Sequence, residues 1–152
     1  MIEQVIQRWH QCLRGDLPGG LDSLLHPDVV FLSPVVFTPQ RGRDITKLYL
    51  SAASQVLPGN TDTPSGSRSA GSPTEGGGKF HYVKTILDGN HAVLEFETTV
   101  GDIVVNGIDM ITCDDEGLIT EFKVMVRPKK AMEAVHAQMK AMLETMVGTD
   151  PR

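Results

Sequence analysis

The sequence has little of the material on which several classes of protein depend. It contains two cysteines, Cys12 and Cys113, which lie far apart in the chain. This pattern excludes a disulfide framework and a zinc-finger pattern, and it favours a reducing, cytoplasmic environment. No run approaches the roughly 18 consecutive apolar residues that a membrane span requires. We therefore expect no membrane partner.

Long basic runs are also absent. The formal net charge is -5, and "RPKK" at 127–130 is too short to form a basic patch. This balance argues against a nucleic-acid partner. The five histidines show no metal-ligand spacing, so we expect no metal site and no cofactor.

What is present fits one domain over residues 1–152. Hydrophobic residues make up 40% of the chain and charged residues 22%, which is typical of a soluble globular protein. Helical spacing of apolar residues predicts helices over 2–14, over the segment beginning at Asp44, and over 129–147. A short helix is predicted before Pro27, followed by a strand at 29–33.

The second half of the chain carries a series of strand signals. Four segments with alternating apolar residues are separated by the short turns "DGN", "GD" and "DDEG". Short turns of this kind predict an antiparallel meander. Helices followed by a meander indicate an α+β fold, in which the sheet curls around the helices and leaves a cavity at its open end.

A Gly/Ser/Pro-rich segment at 58–79 interrupts this pattern. It has almost nothing to bury and cannot offset the entropy lost on ordering. A loop of this length in a compact domain is either loose or functional. The sequence leaves both interpretations open: a slack loop, or a flap over the mouth of a pocket.

One carboxylate stands on an apolar strand face. In "DIVVNGIDMITC", Asp109 alternates with Val105, Ile111 and Cys113, so strand parity predicts that its side chain faces the core. A buried ionisable group commonly marks a functional site. The structural alternative is a hydrogen bond to a backbone amide or to Arg127.

Four segments, taken in order, resemble the nuclear transport factor 2-like superfamily. They are "RWHQCLRGD", "LLHPDVVFLSPV", "RGRDITKLYL" and "GIDMITCDDEGLITEFKVMVRP". The resemblance implies a curved antiparallel sheet that forms a cone, an α+β barrel, around an N-terminal helix, with a C-terminal helix. The superfamily includes SnoaL-like cyclases, ketosteroid isomerases and limonene epoxide hydrolases, beside members without known activity.

The resemblance also implies a role for Asp109. It matches the isomerase aspartic acid that stays protonated and donates a hydrogen bond to the developing oxyanion. Other catalytic positions differ: Ser33 falls near the general base, and Arg8 or Trp9 falls near the tyrosine of the first helix. The Arg-x-Asp pair of the epoxide hydrolases is absent, because Gly107 stands where the arginine would be.

We expect the cavity to be lined by side chains on the inner faces of the strands and on the first helix. The predicted ligand-binding residues are Trp9, Ser33, Leu94, Phe96, Phe122, Val124 and Val126. His10 is expected at the surface. The opposite sheet face is also partly apolar at Val104, Ile108 and Met110, which predicts a homodimer that covers it.

Two functions remain open. The first is a protein that binds a small hydrophobic molecule and acts as an acid/base cyclase, isomerase or hydrolase through catalytic Asp109. The second is a non-catalytic, dimeric binding or assembly module whose cavity is filled by its own side chains. The sequence leaves open whether the chain is an enzyme, and the identity of the ligand cannot be read from it.

Overall fold

The computed structural model describes residues 1–57 and 79–147, with the side chains of 146 and 147 excepted. The predicted loop at 58–79 therefore lies outside the described residues except for Lys79. Both interpretations of that loop stay predictions.

The described residues form four helices and six strands in an α+β arrangement. The helices are α1 (Ile2–Leu13), α2 (Gly20–Leu24), α3 (Arg43–Val56) and α4 (Lys129–Val147). The strands are β1 (Leu25–Leu32), β2 (Gln40–Arg41), β3 (His81–Asp88), β4 (His91–Val100), β5 (Ile103–Cys113) and β6 (Ile119–Arg127). No described helix is long and apolar enough to cross a membrane.

The strands form one curved sheet in the order β2-β1-β6-β5-β4-β3, and the sheet does not close into a barrel. The antiparallel meander of β3, β4, β5 and β6 is confirmed. The predicted curved sheet with an N-terminal and a C-terminal helix is confirmed as well. One pairing departs from the antiparallel prediction, because β1 runs parallel to β6. The intervening α3 and the meander carry the chain back to make this pairing possible.

The first strand begins earlier than predicted. The strand spans Leu25–Leu32 and pairs with β6. It contains Pro27, which was predicted to precede it. The pairing register shifts between Leu25 and Val30, and such an irregularity tolerates a proline that cannot donate to the ladder. Helix α3 begins at Arg43, one residue before the predicted start at Asp44, and Gly42 occupies its N-cap position.

The helices bury their apolar stripes against the inner face of the sheet. On α1 the buried residues are Ile2, Val5, Ile6 and Trp9, whereas Leu13 at the helix end is exposed. On α4, Ala131 and Val135 are buried, and Met139 and Met142 pack beside them. The predicted span of the C-terminal helix, 129–147, is confirmed.

The core divides into two clusters, which set the surroundings of the candidate site. The first cluster joins α1, α2 and β1 to the start of β4, the end of β5 and the start of β6. It includes Leu94, Ile111 and Phe122. The second joins α3 and α4 to the other part of the meander, and it includes Phe96 and Val105. Asp109 lies on β5 between these two groups.

The outer face of the sheet carries apolar side chains in contact with solvent. Ile86, Val104 and Met125 are exposed on it, with Val104 at 64%. Ile108 pairs with Met125 on this face. The prediction that the sheet is apolar on both sides therefore holds for the described strands.

Candidate functional site

Asp109 is a buried carboxyl on the inner face of the sheet. Burial alternates strictly along β5, with every second residue from Val105 to Cys113 buried. Asp109 follows this alternation and is 6% exposed. Its neighbours across the ladder are Leu94 on β4 and Val124 on β6. The alternation along the strand therefore correctly predicted that the Asp109 side chain points to the inner face of the sheet.

A chain of two hydrogen bonds ends at this carboxyl. The indole Nε1 of Trp9 donates to the hydroxyl oxygen of Tyr82 at 3.0 Å. The Tyr82 hydroxyl donates to Oδ2 of Asp109 at 2.6 Å. Because an indole nitrogen can only donate, the tyrosine oxygen is the acceptor there, and its own proton is free to point at Asp109. Tyr82 thus accepts from Trp9 and donates to Asp109.

The other carboxyl oxygen, Oδ1, has a different environment. Within the described residues it takes part in no hydrogen bond. A buried polar atom without a partner is uncommon in proteins, because its desolvation is not compensated. Oδ1 is therefore the atom at which the site has unused hydrogen-bonding capacity.

The apolar surroundings raise the pKa of both Asp109 and Tyr82. Burial raises the pKa of Asp109 from its ordinary value of 3.8 to about 7, and the hydrogen bond from Tyr82 opposes this rise. Burial also raises the pKa of Tyr82 well above 10, with a further contribution from the charge of Asp109. At neutral pH a large fraction of Asp109 is protonated, and Tyr82 keeps its proton.

The aromatic rings around Tyr82 hold its hydroxyl in position. Phe80 stacks on Phe96 with ring centroids 4.9 Å apart and meets Tyr82 edge-on at 5.1 Å. The Phe96 ring lies directly over Gly107, where an added Cβ would be 2.5 Å from its Cζ atom. The glycine two residues before Asp109 thus makes room for the ring that supports Tyr82.

The inner faces of the strands bring most of the predicted ligand-binding residues together. Leu94 and Val124 flank Asp109 directly, while Phe122 pairs with Ile111 and Val126 with Gly107. Leu94, Phe96 and Phe122 are at most 1% exposed and belong to the two core clusters. Trp9 reaches Asp109 through Tyr82 and packs edge-on against Phe122 at 5.0 Å. Whether these residues contact a ligand stays a prediction.

Ser33 is engaged elsewhere. Its Oγ accepts hydrogen bonds from the backbone N–H groups of Val35 at 3.0 Å and Val36 at 3.2 Å. The side chain therefore supports the turn that follows β1, and it takes no part in the hydrogen-bond chain of Asp109. Its proposed contact with a ligand stays a prediction too.

Two residues of the site were missed by sequence reasoning. Tyr82 was read only as part of a strand, and a register shift between Tyr82 and Lys84 breaks the alternation that would have placed it inward. His10 was expected at the surface, yet its ring lies edge-on against Tyr82 with centroids 5.6 Å apart. A usable signal existed for His10, because it lies one helical turn after buried Ile6.

Other titratable clusters are not assembled into sites in the described part of the chain. Glu95 and Glu97 alternate with buried residues and point to the outer face. No group of three His, Cys, Asp or Glu side chains in residues 1–57 and 79–147 is placed to hold a metal ion. Asp109 is the one buried carboxyl among the described residues.

The fold and the buried carboxyl define an α+β protein with a curved sheet and an acid on its inner face. Known structures share the fold. A steroid delta-isomerase from Pseudomonas aeruginosa is 30% identical, with a TM-score of 0.79 over 97% of this chain and 95% of that one. A bacterial protein with a cystatin-like fold from Silicibacter pomeroyi is 28% identical, with a TM-score of 0.70 over 90% and 83% of the two chains.

More distant structures show the fold alone. A SnoaL-like family protein from Agrobacterium tumefaciens is 13% identical, with a TM-score of 0.53 over 84% of this chain and 97% of that one. No protein-family model matches the chain, and no curated protein matches it. The similar structures nevertheless agree in their fold. The chain belongs to the nuclear transport factor 2-like superfamily.

Replacing Tyr82 by phenylalanine should raise the pKa of Asp109 further. The lost hydrogen bond lowers that pKa in the native protein, because it stabilises the charged carboxylate. Carbon-13 NMR titration of the aspartate side-chain carboxyls measures the change. Tyr49→Phe is the matched control, since Tyr49 stacks on Phe31 away from the carboxyl. An unchanged or lowered pKa in Tyr82→Phe would contradict the assigned hydrogen bond.

Replacing Asp109 by asparagine should alter how stability depends on pH. The folded-state pKa of about 7 lies above the ordinary value of 3.8, so the folded protein binds this proton more tightly than the unfolded chain. Wild-type stability therefore falls as the pH rises between those values, and the full cost, on the order of 4 kcal/mol, is present above the folded-state pKa.

Asparagine carries no such charge, so the stability of Asp109→Asn relative to wild type should increase over that pH range and then level off. Urea denaturation at a series of pH values measures this difference. Asp102→Asn, in the exposed turn between β4 and β5, controls for the loss of one carboxylate. Parallel stability curves for wild type and Asp109→Asn would show that burial does not raise the pKa of Asp109.

Proposed function

We propose that the protein binds a small, largely apolar ketone and that protonated Asp109 donates a hydrogen bond to the ketone oxygen. The observation that carries this proposal is the asymmetry of the carboxyl. Tyr82 occupies Oδ2 at 2.6 Å, whereas Oδ1 has no hydrogen-bond partner within the described residues. A protonated carboxyl in that state has a donor left for an outside oxygen.

The electrostatics of the site support a carbonyl as the partner. A neutral carboxylic acid buried among apolar side chains donates strongly to an oxygen on which negative charge develops, because no water competes for it. The neighbouring side chains, Leu94 and Val124 among them, offer apolar contact to the rest of the ligand. The similarity to a steroid delta-isomerase makes a ketosteroid a reasonable probe of this ligand class.

Acid/base chemistry is the activity that this arrangement supports best. Hydrogen bonding to the carbonyl stabilises the enolate that forms when a proton leaves the adjacent carbon. Proton transfer of this kind underlies isomerisation and cyclisation alike. The hydrolase alternative has less support, because Gly107 and Ile108 precede Asp109 without the arginine of the epoxide hydrolases.

A specific observation favours the second candidate, a non-catalytic module. Leu94, Phe96 and Phe122 are almost completely buried among the protein's own side chains. A cone filled in this way would bind no ligand, and Asp109 would then serve structure alone. The binding experiment below separates the two functions.

Affinity for a ketosteroid should depend on the protonation of Asp109. Binding of 4-androstene-3,17-dione, followed by the fluorescence of the only tryptophan, Trp9, should weaken as the pH rises through about 7. In Asp109→Asn the amide donates at every pH, so this dependence should disappear. The hydrocarbon 5α-androstane, which lacks the ketones, controls for apolar contact alone.

Three results would contradict the ketone-binding function. Equal affinity for the two steroids would show that no hydrogen bond forms at Asp109. Failure of both steroids to bind across the pH range would favour the filled, non-catalytic module. Binding that is independent of pH in the wild type would exclude protonated Asp109 as the donor.

We further propose that the outer face of the sheet pairs with a second copy of the chain. Charged side chains form two strips on this face: an acidic strip of Glu95 and Glu97 on β4, and a mainly basic strip of Lys123 and Arg127, together with Glu121, on β6. Apolar β5 lies between them. When two such faces meet about a two-fold axis parallel to β5, the acidic strip of one protomer lies opposite the basic strip of its partner. The exposed apolar side chains, such as Val104 and Met125, are covered in the same contact.

Val104→Lys should convert this dimer into a monomer, because it places a charge among the exposed apolar side chains of the contact. Light scattering coupled to gel filtration measures the mass, which is 16.5 kDa for one chain. Leu13→Lys is the control, since Leu13 is a similarly apolar and exposed residue on α1. A wild-type protein with the mass of one chain, or a Val104→Lys protein that remains dimeric, would exclude this face as the interface.

A further inference from the structure

We propose that His10 is the proton-accepting side chain of this site and acts together with Asp109 on a ketone that has an acidic C–H next to its carbonyl. This inference rests on the proposed function and adds the residue that the resemblance left missing. Ser33, which the resemblance puts near the general base, is an alcohol whose oxygen already accepts two backbone hydrogen bonds. A different side chain must therefore take the proton.

The fold places His10 beside the hydrogen-bond chain. It follows Trp9 on α1 and lies one turn after buried Ile6. Its ring meets the Tyr82 ring edge-on, with centroids 5.6 Å apart and planes inclined by 69°. Tyr82 in turn donates to Asp109 at 2.6 Å. One tyrosine side chain thus separates the imidazole from the carboxyl.

The imidazole is available for chemistry. It is partly buried, and neither ring nitrogen forms a hydrogen bond within the described residues. This distinguishes His10 from His26, His81 and His91, whose ring nitrogens are hydrogen-bonded to neighbouring groups. A histidine that is partly buried and without a partner is suited to accept a proton from a bound molecule.

The charged groups on the elements packed against α1 favour a neutral imidazole. Arg14 caps the C-terminus of the same helix. The titratable side chains that β3 and β5 turn inward are Tyr82, Asp109 and the thiol of Cys113. On β4 the acids point to the outer face, and Asp22 of α2 is paired with Lys47 at 2.9 Å. Burial lowers the pKa of His10 below its ordinary value of 6.5, and the charge of Arg14 lowers it further.

The surroundings of His10 and Asp109 shift the pKa values of the two side chains in opposite directions. Between the lowered pKa of His10 and the pKa of about 7 of Asp109, the imidazole is neutral and the carboxyl is protonated. These are the two forms that the reaction requires, since one group must accept a proton while the other donates a hydrogen bond. The order of the two pKa values is the reverse of the usual order for histidine and aspartate.

The reaction balances without any co-reactant. A nitrogen of His10 takes a proton from the carbon next to the carbonyl, and the C–H electron pair becomes a carbon–carbon double bond. The π electrons of the carbonyl move onto its oxygen, which the Asp109 O–H stabilises. The imidazolium then returns the proton to the same carbon, or to another carbon of the conjugated system, and His10 is neutral again. Return to the other carbon shifts the double bond.

Exchange of carbon-bound hydrogen tests this assignment directly. 4-Androstene-3,17-dione is incubated with the protein in D₂O, and its deuterium uptake is followed by mass spectrometry. The rate should have a bell-shaped pH profile, with loss above about 7 from Asp109 and loss at lower pH from His10. His10→Gln should slow exchange by about a hundredfold or more, while steroid affinity measured by Trp9 fluorescence changes little.

Two companion variants keep the test decisive. His136→Gln, an exposed histidine on α4, should exchange at the wild-type rate. His10→Ala should lose exchange and regain part of it when imidazole is added, which a purely structural histidine would not do. This second variant also covers the case in which His10→Gln fails to fold.

The outcomes distinguish failure of the role of His10 from failure of the proposed function. Exchange that survives in both His10 variants would overturn the role of His10 and leave ketone binding intact. Steroid binding without any exchange in the wild type would overturn it as well. Failure of the wild type to bind the steroid would remove the proposed function itself, and with it the base.

Discussion

The hydrogen bond from Tyr82 to Asp109 inside an apolar core is the interaction on which the site depends. Burial opposes the charged carboxylate, and the tyrosine proton supports it. Because burial dominates, the carboxyl is held near the point at which it gains or loses its proton in neutral solution. Tyr82, which accepts a hydrogen bond from Trp9, donates to one carboxyl oxygen of Asp109, and the other oxygen has no hydrogen-bond partner among the described residues.

The fold brings this arrangement together from three distant parts of the sequence. Trp9 and His10 come from α1, Tyr82 from the edge strand β3, and Asp109 from β5. The parity of β5 turns the carboxyl inward, and Gly107 leaves space for the Phe96 ring that supports Tyr82. A core with the same strands but a side chain at 107 would have to move that ring. The site is therefore a consequence of sheet packing as much as of residue chemistry.

Patterns that are local in the sequence predicted most of the architecture and the inward position of Asp109, but they did not predict the partners of Asp109. The meander, the C-terminal helix and the inward carboxyl follow from periodicity, which reports the face of a strand or helix. Periodicity could not supply the parallel contact of β1 with β6, which is set by the return of the chain. It also missed Tyr82, where a register shift breaks the alternation. The partners of Asp109 depend on such distant contacts, and no spacing encodes them.

The most direct test of the central claim is the titration of Asp109 in the wild-type protein. Carbon-13 NMR of the side-chain carboxyl, assigned by its loss in Asp109→Asn, gives the pKa without reference to any ligand. The expected midpoint is about 7. A midpoint at the ordinary aspartate value of 3.8 would show a solvated carboxylate and contradict the account.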